Sequence, residues 1–284
     1  MGRRLADLLH GRKRVQLSLL LAGPLGWLVI AYLGSLAVLF VAAFWHLDEF
    51  SGKIVHDYST VNFETLWHGD VYRSIVLRTV GIAAAVTVTD ALLAFPIAFT
   101  MAKLAGPRTR ALLVIAVLMP LWSSYLVKVY AWRTILAENG ILNWALEPFG
   151  LKGPGFGNVA TWLVFSYLWL PFMILPIYAG LERIPNSLIS ASEDLGASPF
   201  TTFRRVILPL SFPAVVAGSI FTFSLTLGDY ITPRLVSNDQ FIGNVIFSNI
   251  ANNQPFAAAL ALIPIVVMIA YLMVARRLGA FEHV

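Results

Sequence analysis

Ser190-Ala191-Ser192-Glu193-Asp194-Leu195-Gly196, followed after nine intervening residues by Val206-Ile207-Leu208-Pro209, is the stretch from which the fold is read. It is the one long polar segment flanked on both sides by apolar runs of membrane-spanning length. Asn186 is placed to cap a first short helix, in which Leu188, Ala191 and Leu195 recur at i, i+3 and i+7. Gly196 ends that helix as a left-handed C′ residue does. Ser198-Pro199 then supplies an N-cap with proline at the first helical position, and the restarted helix carries Phe200, Phe203 and Ile207 on one side. Two helices of about ten residues are marginal in water alone. An amphipathic pair like this needs something to dock against.

Outward from that segment the chain is overwhelmingly apolar. Of its 284 residues 58% are hydrophobic and only 12% charged, against about 25% charged in a soluble domain. Its mean hydropathy is +0.76. The composition is that of an integral membrane protein. There is no cysteine, which removes disulfides, thiolate nucleophiles and Cys-based metal sites together. The five histidines (His10, His46, His56, His68, His283) stand outside the apolar runs with no paired ligand spacing. The net charge of +5 is not gathered into one block, so no nucleic-acid partner is expected.

An apolar run over about residues 17–44 follows the basic start of the chain. It is longer than the roughly 7–15 residues of a signal-peptide core and reads as an uncleaved first span. Residues 46–75 are polar and mixed in charge, an external loop with room for a small helix around Thr65-Leu66-Trp67. Five further runs, near 76–102, 111–131, 159–180, 210–231 and 256–275, each reach the roughly 20 residues needed to cross a hydrocarbon core of about 30 Å. No internal repeat of about 40 residues breaks the pattern. The expected organisation is all-α and single-domain: a tail over 1–16, six transmembrane helices within 17–275 with the polar loop at 184–209, and a tail over 276–284.

Charge orients these spans. With the N-terminal tail inside, the inside segments hold thirteen of the twenty Lys and Arg: Arg3, Arg4, Arg12, Lys13, Arg14, Lys103, Arg108, Arg110, Arg183, Arg204, Arg205, Arg276 and Arg277. That asymmetry is the positive-inside bias, and it puts both termini and the polar loop in the cytoplasm. Seven prolines (Pro24, Pro96, Pro120, Pro171, Pro176, Pro213, Pro264) fall inside the runs. Each removes a backbone hydrogen bond that neighbouring helices or a watered cavity must replace.

The polar segment resembles the cytoplasmic "EAA loop" of binding-protein-dependent ABC importer permeases, EAA-x3-G-x9-I-x-L-P. Ala191, Gly196 and Ile207-Leu208-Pro209 sit in register with it, while Ser190, Ser192 and Val206 depart from it. The glutamate usual at Ser190 is taken in the family to contact the ATPase subunit, and Glu193, one turn further along the same face, is a candidate substitute. The resemblance implies an ATPase-coupling surface of Ser190, Ala191, Glu193, Gly196, Ser198, Phe200 and Pro209.

No catalytic set is visible. A G-x4-G-K-[ST] phosphate loop, an H-E-x-x-H motif and a G-x-S-x-G elbow are all missing from the sequence, and Gly153-Pro154-Gly155-Phe156-Gly157 reads as a turn. Two acids stand within the apolar runs. Asp90 shares a stripe with Ala83, Thr87, Ala94 and Ala98; Asp229 shares one with Gly218, Thr222 and Thr226. Small and polar stripes are where membrane helices approach closely, so both carboxylates are expected to face protein or water. An ionised Asp at mid-bilayer costs at least about 2.5–3.5 kcal/mol, and such residues are usually functional. Asp90 is read as a solute-path candidate against a structural hydrogen bond; Asp229 also reads as a solvated helix end.

A second resemblance covers nearly the whole chain, about 17–275. The run Pro120-Leu121-Trp122-Ser123-Ser124-Tyr125-Leu126-Val127-Lys128-Val129-Tyr130-Ala131-Trp132 is similar to a recurrent segment of spermidine/putrescine permeases, as are Gly140-Ile141-Leu142-Asn143, Phe95-Pro96-Ile97-Ala98, the run from Leu170 to Pro176, Gly228-Asp229-Tyr230-Ile231-Thr232-Pro233 and Ile242-Gly243-Asn244-Val245-Ile246. It implies a type I ABC importer permease for polyamines or a related cationic solute, with Asp90, Trp122, Tyr125, Asp229 and Tyr230 as path candidates. It also implies a second, related permease subunit (a heterodimer), two cytoplasmic ATP-binding subunits that use ATP and Mg, and an external or periplasmic solute-binding protein. No cofactor is expected in this chain itself. Ferric-iron, opine and aminophosphonate importers share much of the pattern. From another class, a stand-alone ion-coupled transporter or channel would leave the docking loop without a purpose, and a membrane enzyme would lack its catalytic set.

Overall fold

Apolar length decides the architecture. In the computed structural model, which describes residues 13–48 and 50–277, five helices are long and apolar enough to cross a membrane: Leu20–Ala42, Asp70–Leu104, Asn158–Arg183, Pro199–Gly228 and Gln254–Arg277. A further crossing is divided between Pro107–Trp122 and Tyr125–Leu136, which are bent by 90°. Counted in chain order, with the broken pair as the third, these are the six spans of an all-α membrane protein. The parts of the two expected tails that fall in residues 1–12 and 278–284, with His10 and His283, lie outside the described residues.

The continuous third run expected at 111–131 is corrected by that break. Ser123 is extended at φ −81° and ψ 148°, one turn after Pro120. Bare backbone is costly in lipid, and here side chains satisfy it: the Pro120 carbonyl accepts from Ser123 Oγ at 2.9 Å and from Lys128 Nζ at 3.1 Å. The seven expected prolines are all helix-internal. Three π-helical turns, Leu28–Leu33, Thr100–Leu104 and Phe203–Ile207, each begin four residues after a proline, at Pro24, Pro96 and Pro199. Wider turns of this kind re-satisfy backbone groups around a proline.

Contacts divide the chain into two units, one drawn from residues up to 66 with 249–262, the other from 67–248 with 263 onward. In the first, the opening span leads into a small antiparallel hairpin, His46–Leu47 with Ile54–Val55, in register His46↔Val55. Asn62 Nδ2 donates to the carbonyls of Ala43 at 3.0 Å and Trp45 at 2.7 Å, so the expected small helix, Val61–His68, is tied to the exit of the first span. The Asp48 carboxylate accepts from the backbone N–H groups of Ser51 and Phe50, which hold its pKa below the ordinary carboxylate value.

The second unit is built on the second, fourth and fifth spans, which pack chiefly on one another. The predicted small-residue stripe of the second span is its buried face: Ala83, Asp90, Ala94 and Ala98 are fully covered and Thr87 nearly so. Met173, Ile174, Ile177 and Leu181 of the fourth span join Ala94, Ala98 and Met101 in one apolar cluster. Gly218 on the fifth span is needed for this closeness, since a Cβ there would lie 2.8 Å from Met173 Sδ and 3.1 Å from its carbonyl oxygen. Further along that stripe, Thr222 and Thr226 return their hydroxyls to the carbonyls one turn back, at 3.2 and 2.8 Å. Tyr271 of the last span stacks on Phe223 and donates to Ser219 Oγ at 2.6 Å.

Candidate functional site

Two groups of residues stand out, one at each end of the second unit. The first is the polar segment between the fourth and fifth spans. Its helix, Asn186–Asp194, starts directly after Pro185. The helix ends in a Schellman arrangement: Ala197 N donates to Ser192 O at 3.1 Å, Gly196 N to Glu193 O at 2.8 Å, and Gly196 takes φ +79°. Ser198 then caps the next turn, Pro199–Thr202, by accepting from Thr201 N at 3.3 Å, with Pro199 at the first position. A contact of 3.0 Å between the hydroxyls of Ser192 and Thr202 holds the two short helices together.

The faces of this pair differ in what they meet. Leu188, Leu195 and Phe200 are exposed, Leu195 at 89%; the two leucines lie between the fourth and fifth spans and Phe200 in the first turn of the fifth. Ser190, Ala191, Glu193, Gly196, Ser198 and Pro209 are exposed beside them. The inward face is instead Ile189, Phe203 and Ile207, which pack on the cluster around Met101, with Phe203 edge-on to Phe95 at 5.5 Å. The expected single stripe of Phe200, Phe203 and Ile207 is therefore split, because the π turn at Phe203–Ile207 rotates the later residues inward. Asn186 also departs from expectation. It is a helical residue with no capping bond to its own backbone, and its Oδ1 accepts from Lys103 Nζ at 3.2 Å.

The second group surrounds the break in the third span. Asp229 ends the fifth span, and its Oδ1 accepts from Ile231 N at 2.7 Å and Thr232 N at 3.2 Å. That Asx-type turn starts the short helix Ile231–Val236. The other oxygen accepts from Thr232 Oγ1 at 3.2 Å and from the Tyr125 hydroxyl. Tyr125 is the first residue after the break, and its ring stacks on Trp169 of the fourth span with centroids 6.0 Å apart.

Of the five sequence-predicted path residues, only Tyr125 and Asp229 are thus brought together. Trp122 is 80% exposed. Tyr230 stacks on Phe247 at 4.6 Å, so one of its faces is covered by that ring, and the Arg234 guanidinium lies 5.1 Å from the centre of Phe247. Asp90 is fully buried on the second span; the Ser166 hydroxyl of the fourth span is within reach of its carboxylate, but no well-formed hydrogen bond to either oxygen is made among the described residues. The Ser166 hydroxyl and the Trp169 indole N–H, one turn apart on the fourth span, are buried, and neither makes a well-formed hydrogen bond among the described residues. Sequence reasoning missed Trp169, Thr232 and Lys103. Trp169 carried a usable signal: it stands three residues after Ser166 on the buried face of a span.

Known proteins supply the context for this geometry. A family model described as binding-protein-dependent transport system inner membrane component matches residues 70–280. The chain is 45% identical over 284 residues to the inner membrane ABC transporter permease protein YdcU of Escherichia coli (strain K12), covering 94% of this chain and 90% of that one. It is 33% identical over 209 residues to the spermidine/putrescine transport system permease protein PotB of Haemophilus influenzae, covering 71% and 72%. Among solved structures, the bacterial alginate ABC transporter in complex with an alginate pentasaccharide-bound periplasmic protein superposes with a TM-score of 0.74 at 15% identity, over 94% of this chain and 96% of that one. The inward-facing MetNI methionine ABC transporter gives 0.58 at 15% identity, over 76% and 96%. At those identities the two likenesses show the shared fold.

Proposed function

We infer the role of the chain from one premise: it belongs to the family of binding-protein-dependent transport system inner membrane components. It is a multi-pass permease subunit of an ABC importer. The solute we propose is a polyamine or a related small organic cation. The observation that carries this reading is the 33% identity to a spermidine/putrescine permease over 71% of the chain. The geometry is compatible with it, since Trp122 offers an exposed aromatic ring and Asp90 a buried carboxylate held only loosely by Ser166. Cation–π contacts contribute about 0.5–2 kcal/mol each.

In this reading two cytoplasmic ATPase subunits, using ATP and Mg, dock on the exposed face of Leu188, Leu195 and Phe200 beside Ser190, Ala191, Glu193, Gly196, Ser198 and Pro209. A second, related permease completes the pathway, and an external solute-binding protein delivers the cation. ATP binding draws the docked helices together and switches the spans between inward- and outward-facing arrangements. Orientation rests on the Lys and Arg asymmetry and is tested in the cysteine-free chain. With Ser187→Cys as the only thiol, an impermeant maleimide added to intact cells should not label it; labelling from outside overturns the topology.

Solute identity is tested with radiolabelled putrescine in proteoliposomes holding the complete transporter and its binding protein. ATP-dependent uptake, competed by unlabelled spermidine, is the expected result. No putrescine uptake by a complex that imports ferric iron or an aminophosphonate overturns the polyamine assignment and leaves the permease role standing.

A further inference from the structure

The end of the second span is fastened to the start of the docking segment by a side chain that the reading above does not use. Lys103 lies in the π turn Thr100–Leu104. Its ammonium donates to the Ile184 carbonyl at 2.5 Å and to Asn186 Oδ1 at 3.2 Å. Ile184 is the C-cap of the fourth span, where bare carbonyls attract a cation. Asn186 is the first residue of the docking helix. One ammonium therefore joins three elements: the exit of the second span, the exit of the fourth, and the helix that faces the ATPase.

The neighbouring cation strengthens the joint from the other side. Arg110, on the third span, donates from Nη1 to Glu182 Oε1 at 3.3 Å and from Nη2 to the Ala102 carbonyl at 3.2 Å. Beneath both, Met101, Ile184, Ile189 and Phe203 lie in one apolar cluster, and Phe95 meets Phe203 edge-on. Polar and apolar contacts thus link the docking segment to the same short length of the second span. That span carries Asp90 thirteen residues before Lys103, about 20 Å along a helix. The π turn that carries Lys103 is closed by a bond from Ala105 N to Thr100 O, and its Met101 and Ala102 are packed in that cluster.

We propose that Lys103 is a positioning residue for coupling, a latch through which movement of the docked helix is passed to the second span. The proposal rests on the reading of the 186–209 segment as the ATPase-docking surface. Charge-assisted hydrogen bonds to a carbonyl and an amide keep the two elements moving as one body. A residue that merely capped the fourth span would affect folding without changing how much solute enters per ATP consumed.

The test uses the complete transporter in proteoliposomes, reading solute imported per ATP hydrolysed. Lys103→Met keeps the aliphatic stem and removes the three donors; a fall of about tenfold in that ratio is expected, with Lys103→Arg restoring at least half. Gly196→Val serves as the control for docking, because a side chain at its φ of +79° is strained. A wild-type ratio in Lys103→Met beside an uncoupled Gly196→Val overturns the latch and leaves the docking reading intact. Unchanged ATPase retention and ratio in Gly196→Val overturn the docking reading itself. Should Lys103→Met fail to assemble, Lys103→Cys with Asn186→Cys takes its place, joined by a short bis-thiosulfonate linker. Recovery of the ratio on linking supports the latch, and no recovery overturns it.

Discussion

Asp229 and Asp90 are both acids within apolar sequence, and their surroundings could hardly differ more. Asp229 accepts from two backbone N–H groups and two hydroxyls, and it turns the chain from the fifth span into a new helix. Asp90 is fully covered, on a stripe of alanines and a threonine, and makes no well-formed hydrogen bond among the described residues, the Ser166 hydroxyl of the fourth span being a loose partner. A buried carboxylate that is bonded shapes the backbone around it. One that is held only loosely adds little to this arrangement and carries a desolvation cost. The difference separates an acid that builds the fold from an acid that the fold must tolerate, and only the second calls for an explanation in function.

Asp229→Ala is the strongest way to break this contrast. It leaves two backbone donors without their acceptor and the Tyr125 and Thr232 hydroxyls, 2.7 Å apart, with only each other. Hydrogen bonds to a charged group contribute about 1.5–3 kcal/mol each and are not additive, so a loss of about 3 kcal/mol is expected, read as a lowered unfolding midpoint in detergent. An unchanged midpoint would remove Asp229 from the scaffold. Tyr125→Phe is the milder version. It keeps the ring over Trp169 and deletes one donor, for an expected loss of about 1–2 kcal/mol. Because the two residues share one bond, the double variant should lose less than the two single losses combined.

How far these sites were legible in the sequence depends on what kind of partner each residue has. Apolar length revealed the spans because each had to be about 20 residues long. The Gly196 turn and the Ser198-Pro199 restart were legible because they are local, with donor and acceptor within a few residues. The break at Ser123–Ser124 was not. Both arms are apolar, and what permits the bend is a lysine returning to a carbonyl eight residues back. Lys103 was counted only as a charge, since its main partner is a backbone carbonyl 81 residues away and any residue type supplies one. For the same reason Asn186 was read as a cap: the sequence contained no sign that a lysine from another span would take its side chain. The stripes around Asp90 and Asp229 were visible as spacing, but spacing cannot distinguish a firmly bonded carboxylate from a loosely held one.

Asp90→Asn is expected to have the smallest effect on stability and to sharpen the contrast most. Asparagine has nearly the same shape as aspartate, so the alanine-lined stripe receives it without a cavity or a clash. No well-formed hydrogen bond is broken among the described residues, and the amide can still meet the Ser166 hydroxyl. The unfolding midpoint should therefore correspond to a change of less than about 1 kcal/mol, in either direction. Transport should respond differently. If the carboxylate is a transient partner for a cation crossing the bilayer, deleting its charge should slow putrescine uptake several-fold while the ATPase subunits stay bound and continue to hydrolyse ATP. Asp90→Leu separates packing from charge. It deletes the same charge but enlarges the side chain at a fully covered position, where overpacking costs about 1–3 kcal/mol. Leucine should therefore lower both stability and transport, and asparagine transport alone. Full uptake by Asp90→Asn would return Asp90 to the scaffold beside Asp229 and weaken the case for a cationic solute. A midpoint that falls as far as in Asp229→Ala would mean that the carboxylate, through Ser166 or a neighbouring subunit, belongs to the scaffold.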